Sequence, residues 1–108
     1  MILVIGEALI DLIESRETPG EYRAVVGGAN ANVAIALARR ETPHTFIGRI
    51  STDAFGEQII AKLRDNAVDL THTVRTDDPT TLAVVSVSES GSPSYSFYVN
   101  GTADWGFT

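Results

Sequence analysis

The stretch GGANANVA at residues 27–34 places two adjacent glycines at the head of an alanine-rich run, with asparagines at 30 and 32. Glycines there let the backbone take angles, and approach a ligand, in ways that a Cβ forbids. A helix starting behind them presents unpaired N–H groups and the positive end of its dipole. Asn30 and Asn32 each donate and accept hydrogen bonds, the capacity that recognition of neutral hydroxyls requires. Upstream, Asp11 breaks the apolar run at residues 8–13. An unpartnered carboxylate is costly to bury, so such a group belongs where it is hydrogen-bonded or solvated. On spacing alone two readings stay open for each feature. Asp11 is a strand-end side chain facing water or a ligand-binding group. Gly27 and Gly28 form a polar-ligand site or only a strand-to-helix turn that Asn30 caps.

Other chemistries lack their residues. The dinucleotide fingerprint needs a third glycine where Val33 and Ala34 stand, and no Gly-Lys-Ser or Gly-Lys-Thr occurs for a phosphate loop. There is no nucleophile elbow, and neither His44 nor His72 is placed to serve a serine. With no cysteine there is no disulfide framework or thiolate metal site, and no metal site is expected. Neither a general base nor a nucleotide site is evident in this chain.

The elements that must position the glycine turn follow from periodicity. Residues 2–5 form a continuous branched apolar stretch, expected as a strand covered on both faces. Residues 15–22, with Pro19 and Gly20, read as a turn into a short strand at 23–26. A helix is expected over 30–40, stopped by Pro43, and HTFIGRI at 44–50 as one strand. Asp53 is placed to cap a second helix, whose Phe55, Ile59 and Leu63 recur at four-residue spacing. Residues 71–81 read as a loop. The runs at 82–88 and 94–100, rich in Val, Phe and Tyr around Ser90-Gly91-Ser92, read as an antiparallel hairpin. The order is that of an α/β fold with inserted antiparallel strands.

Composition narrows the partners. At 108 residues the chain is one folding unit, expected to be an incomplete one because so few parallel strands leave uncovered edges. A net charge of −6, with eight scattered Lys and Arg, offers nothing general to nucleic acid phosphates. No apolar run is long enough for a bilayer, and the apolar N-terminus lacks a basic leader and is broken by Glu7 and Asp11, so neither membrane nor secretion signal is expected. A cytoplasmic protein fits these features.

Four segments in series, GEALIDLI at 6–13, GGANANVAIALAR at 27–39, IGRISTDAFG at 47–56 and FYVNGTADW at 97–105, together resemble the PfkB, or ribokinase-like, carbohydrate kinases, and most of all their fructokinase-like members. The resemblance implies the N-terminal part of a ribokinase-like, Rossmann-type three-layer α/β domain with an antiparallel β lid, its lid strands around 12–26 and 81–100. It implies transfer of the γ-phosphoryl group of ATP to a sugar hydroxyl with Mg²⁺. By motif position Asp11 would bind sugar hydroxyls, the backbone of Gly28, beside Gly27, would touch the sugar, and Asn32 would hydrogen-bond it. Phe97 and Tyr98 would close over the substrate, or else pack within the lid or in a homodimer interface. The family's Gly-Ala-Gly-Asp segment, with its catalytic Asp, is absent, so the general base and most of the ATP and Mg²⁺ site are expected beyond Thr108, and this chain alone is expected to be inactive.

The departures from the family pattern fall elsewhere: Asn30, Glu41 and Ser51 replace commoner small residues. Ala29 and Leu9 stand where ribokinase carries lysine and asparagine, and Val99 where several ketodeoxygluconate kinases and fructokinases carry arginine, so a carboxylated sugar loses one cationic partner and a neutral hexose such as fructose is favoured. The alternatives are a non-catalytic sugar-binding module and a nucleoside kinase whose lid aromatics stack on a base.

Overall fold

The computed structural model describes residues 1–88 and 91–105; Ser90 of the expected turn, and Gly106 and Phe107 after the hairpin, lie outside the described residues. The elements run β1 (Ile2–Ile5), β2 (Leu9–Glu14), β3 (Tyr22–Gly27), α1 (Ala29–Arg39), β4 (His44–Ile47) and β5 (Arg49–Ser51). They continue with α2 (Ala54–Asp65), β6 (Val74–Thr76), β7 (Leu82–Val87), β8 (Pro93–Tyr98) and a 3-10 turn (Ala103–Trp105).

β1 pairs in parallel with β4, Val4 opposite Phe46, and β5 pairs in parallel with β6. The expected strand at 44–50 is therefore two strands. The chain leaves β1 at Gly48 and re-pairs with β6, a three-residue strand inside the expected loop at 71–81 and too short to show a period. The remaining strands form a four-stranded sheet in the order β3–β2–β7–β8. Its two hairpins are antiparallel as expected, but β2 and β7 join them in parallel, so the sheet is mixed.

The helices bind these sheets through one core. Small alanines let α1 approach the β1–β4 pair, burying Ala31, Ala34 and Ile35, while α2 buries Ile59, Ile60 and Leu63. These meet Ile10, Val26, Phe46 and Ile50 in a single cluster. β1 departs from expectation: only Val4 is buried, while Ile2, Leu3 and Ile5 remain 46%, 56% and 60% exposed. An all-apolar strand calls for cover on both faces, and the described residues supply it on one.

Polar groups lock the connections. Asp53 caps α2, accepting from Gly56 N at 2.7 Å, and also accepts from Thr80 N at 2.9 Å and Thr80 Oγ1 at 2.6 Å, which fixes the approach to β7. Burial alone would push its carboxyl up; these hydrogen bonds, with one from Ser51, hold it below the ordinary value of 3.8. Buried His44 accepts from Asp69 N at Nε2 (3.1 Å), so its 2.9 Å contact with Thr42 O is a donation from Nδ1. That ring is a structural bracket. Among the described residues no helix is long and apolar enough to cross a membrane.

Both helices end in the same motif. After α1, Glu41 N bonds Ala38 O and Thr42 N bonds Leu37 O; after α2, Ala67 N bonds Arg64 O and Val68 N bonds Leu63 O. Such a stop needs a left-handed residue, and Glu41 (φ 57°) and Ala67 (φ 62°) take that conformation with a Cβ in the way. Glu41→Gly and Ala67→Gly are each expected to stabilise the protein by about 0.5–1 kcal/mol, read as a higher urea midpoint at unchanged slope.

Candidate functional site

The register of the four-stranded sheet assembles a row across it: Val25 on β3, Asp11 on β2, Ala83 on β7 and Phe97 on β8. Directly opposed residues share a face. The next row on that face is Arg23, Ile13, Val85 and Tyr95, and the rings of Tyr95 and Phe97 stack with centroids 6.3 Å apart and planes 9° from parallel. The opposite face carries Val26, Ile10, Leu82 and Tyr98, and turns its buried Ile10 and Val26 into the core beneath α2.

Of the two aromatics expected at the site, the structure thus brings Phe97 to the face of Asp11 and leaves Tyr98 on the other. Tyr95 joins Phe97, although its sequence context, Ser94-Tyr95-Ser96, gave no sign of it. Both rings are open, Phe97 65% and Tyr95 58% exposed.

Asp11 is half-buried in the middle of β2, not at a strand end. Its carboxylate lies against Gly27, where a Cβ would run into Oδ2. Burial raises its pKa above the ordinary 3.8, and no hydrogen bond from a described residue offsets this. A carboxylate so placed offers four lone-pair sites to whatever donors arrive.

Gly28 begins α1 with φ +100°, and a Cβ there would meet Glu7 O at 2.9 Å and Ala8 Cα at 3.2 Å. The glycine pair therefore serves two close approaches, one by a carboxylate and one by main chain. Asn30 does not cap the helix. It bridges to the β1–β2 connection instead, accepting from Glu7 N at Oδ1 (3.2 Å) and donating from Nδ2 to Ile5 O (3.2 Å). Asn32 stands in the first turn of α1, its N–H bonded to Gly28 O at 3.1 Å and its side chain exposed, with no hydrogen-bond partner among the described residues.

Asp104 lies after β8 in the segment FYVNGTADW, where the sequence alone gave it no role. Its Oδ1 accepts from Ala8 N at 3.3 Å, while Oδ2 is buried with no hydrogen-bond partner among the described residues. Burial is the main cause of a pKa raised to about 6, with nearby Glu7 adding to it and the Ala8 amide and Thr81 hydroxyl opposing. The segment is held firmly: Arg49 Nε donates to Ala103 O at 3.1 Å, Ala103 N to Pro79 O at 2.9 Å, and Thr81 Oγ1 to Thr102 Oγ1 at 2.8 Å.

An open carboxylate and exposed aromatics on one sheet face, with a glycine turn at a helix start, thus stand together on an α/β scaffold. The model of the pfkB family carbohydrate kinases matches residues 1–108, and the chain belongs to that family. It is 40% identical to a fructokinase of Rhizobium leguminosarum bv. trifolii over 95% of its length, covering 32% of that protein, and 38% identical to fructokinase-1 of Oryza sativa subsp. japonica over 96%, covering 34%. It superposes on a fructokinase of Xylella fastidiosa with bound ATP at a TM-score of 0.90, with 37% identity, over 98% of this chain and 32% of that one. The fold is thus the N-terminal part of the ribokinase-like α/β domain, and the chain spans about a third of the length of the relatives it matches.

A carboxyl with a folded pKa near 6 against an ordinary 3.8 holds its proton more tightly when folded. Its stabilising contribution is complete below the ordinary value and is lost as the pH rises through about 6. Asp104→Asn keeps the acceptor for Ala8 N and removes the buried charge. The variant is expected to melt within about a degree of the native protein at pH 4.5 and several degrees above it at pH 7.5, measured by circular dichroism.

Proposed function

We propose that this chain is the acceptor-binding part of an ATP-dependent kinase that phosphorylates a hydroxyl of a neutral hexose, fructose being the substrate, in the cytoplasm. The observation that carries the reading is Asp11, a half-buried carboxylate without an internal partner beside Gly27, on the same face as the open ring of Phe97. Two vicinal sugar hydroxyls satisfy such a group, the exposed Asn32 amide supplies both hydrogen-bonding senses, and an aromatic face suits the apolar side of a hexose. The relatives named as fructokinases, and the ATP bound to one of them, support the substrate and the phosphoryl donor.

In this reading the four-stranded sheet is the lid, and the chain's own residues bind and orient the acceptor. Phosphoryl transfer also requires charge neutralisation and a base. Among the described residues no three His, Cys, Asp or Glu side chains gather to hold a metal ion, so no residue here is assigned to Mg²⁺ or to the nucleotide. The uncovered Ile2, Leu3 and Ile5 of β1 agree with a sheet that other parts of a longer protein complete.

In the full-length protein Asp11→Ala is expected to lower kcat/KM for fructose at least 100-fold, because each hydroxyl bond to a charged acceptor contributes about 1.5–3 kcal/mol. Asp11→Asn, which removes a half-buried charge, is expected to fold with an unchanged or higher melting temperature while losing most of that activity. Unaltered turnover in a folded Asp11 variant rejects the assignment. Fructose binding without turnover points to a non-catalytic module, and faster turnover of adenosine than of fructose points to a nucleoside kinase.

The lid also supports a homodimer. Every residue of β8 is exposed, including Tyr95, Phe97 and Tyr98, and the strand is a sheet edge with unpaired backbone groups. Sedimentation equilibrium is expected to show a dimer that Phe97→Ser together with Tyr95→Ser weakens at least tenfold; a monomer at 100 μM, on the order expected only for weak contacts, counts against it.

A further inference from the structure

A buried carboxylate oxygen without a partner is a liability that an asparagine or a serine would relieve, and folds keep such groups where function gains from them. Asp104 is that case. Its Oδ2 is closed off from solvent, so it is not itself a ligand contact. Its Oδ1 holds Ala8 N, and Ala8 is the residue on which the acceptor site turns. The Ala8 Cα and the Glu7 carbonyl press on Gly28, Glu7 O receives Ala31 N from the first turn of α1 at 3.2 Å, and β2 with Asp11 begins one residue later.

We propose that Asp104 is a positioning residue for the sugar acceptor: by gripping Ala8 it sets Gly28 and the entry of β2, and so ties the geometry of the acceptor site to the segment that returns from the lid hairpin. This rests on the sugar-kinase reading for its substrate, but the coupling of Asp104 to Gly28 stands on contacts alone.

The connecting contacts are short and continuous. Thr102, Ala103 and Asp104 come after the short connection that leaves β8, Thr102 is tied back to Val99 O, and Thr102 and Ala103 are fastened to Thr81, Pro79 and Arg49, so the hairpin is joined to Ala8 through one side chain. Glu7, from the β1–β2 connection, is the charged group that acts on Asp104. Arg49 of β5, with its guanidinium on Ala103 O, Thr76 Oγ1 and Asp78 Oδ2, faces the neighbouring peptide. Thr81, whose hydroxyl donates to Thr102 Oγ1, is the side chain that acts against the rise at Asp104.

Two measurements on the full-length protein test this. In steady-state kinetics at pH 7.5, Asp104→Ala is expected to raise KM for the sugar about tenfold or more with KM for ATP within about twofold, and Asp104→Asn to bring the sugar KM back to within about threefold of native. An unchanged sugar KM in Asp104→Ala, or equal rises for both substrates, overturns the proposal. In ¹H–¹⁵N spectra between pH 4.5 and 8, the Ala8 and Gly28 amides of the native protein are expected to follow one common titration that Asp104→Asn abolishes. Amides that do not titrate, or titrate alike in the variant, overturn it too. If the native protein phosphorylates no sugar the substrate reading fails, and the amide titration still decides the coupling; if Asp104→Ala does not fold, Asp104→Asn carries the spectroscopic test.

Discussion

Strand β2 is hydrogen-bonded on both edges, antiparallel to β3 and parallel to β7, and the site depends on that double pairing. The first pairing sets Asp11 against Gly27 at the end of β3, just before the chain turns into α1. The second puts Asp11 in line with Ala83 and, one strand further, with Phe97. A slip of one residue in either ladder would exchange the faces, sending Asp11 into the core and Ile10 to the ligand side. Register is protected because Ile10 and Val26 are buried in the cluster under α2, where a carboxylate has no partner.

Three aspartates show how the same side chain is given different work by its surroundings. Asp53 is supplied with donors from Thr80, Gly56 and Ser51 and holds its charge easily, which suits a group that fastens α2 to the start of β7. Asp11 is only half-buried and has no donor among the described residues, so its hydrogen-bonding capacity is unused there, which is what the proposed acceptor role draws on. Asp104 is more deeply set, with one oxygen bonded and one orphaned, and its charged form is the least comfortable of the three. Donor supply separates anchor from binding group, and solvent access separates binding group from latch.

Much of this could be read from the chain before the structure. The two helices and the hairpins stood out because they are long and periodic, and Asp53 declared itself as a cap by its place before an amphipathic run. The strand-to-helix turn was visible in Gly27 and Gly28, whose close approaches leave no room for Cβ atoms. What stayed hidden is non-local. Nothing near β2 announces that it pairs in parallel with a strand some seventy residues on, β6 is too short for any period, and the bridge from Asn30 to Ile5 and Glu7 competes with a capping role that its position suggests equally well. The setting of Asp104 was hidden for the same reason: its hydrogen-bond partner Ala8 is almost a hundred residues away in sequence.

The uncovered apolar surface divides into two kinds with different causes. On β1 it lies on a strand whose branched residues match a sheet covered from both sides, and its cover is a matter of how much of the domain is present, since the chain spans about a third of its relatives. On β8 it alternates with serines and includes a stacked aromatic pair on the same sheet face as Asp11, with β7 between them. Serine between aromatics leaves one face of an edge strand polar and the other adhesive, an arrangement suited to reversible contact more than to permanent burial. Because the segment that carries Asp104 returns from β8 and is tied by hydrogen bonds to Thr81, Pro79 and Arg49, the proposed positioning role joins the aromatic edge strand to Ala8 through contacts that lie outside the apolar core.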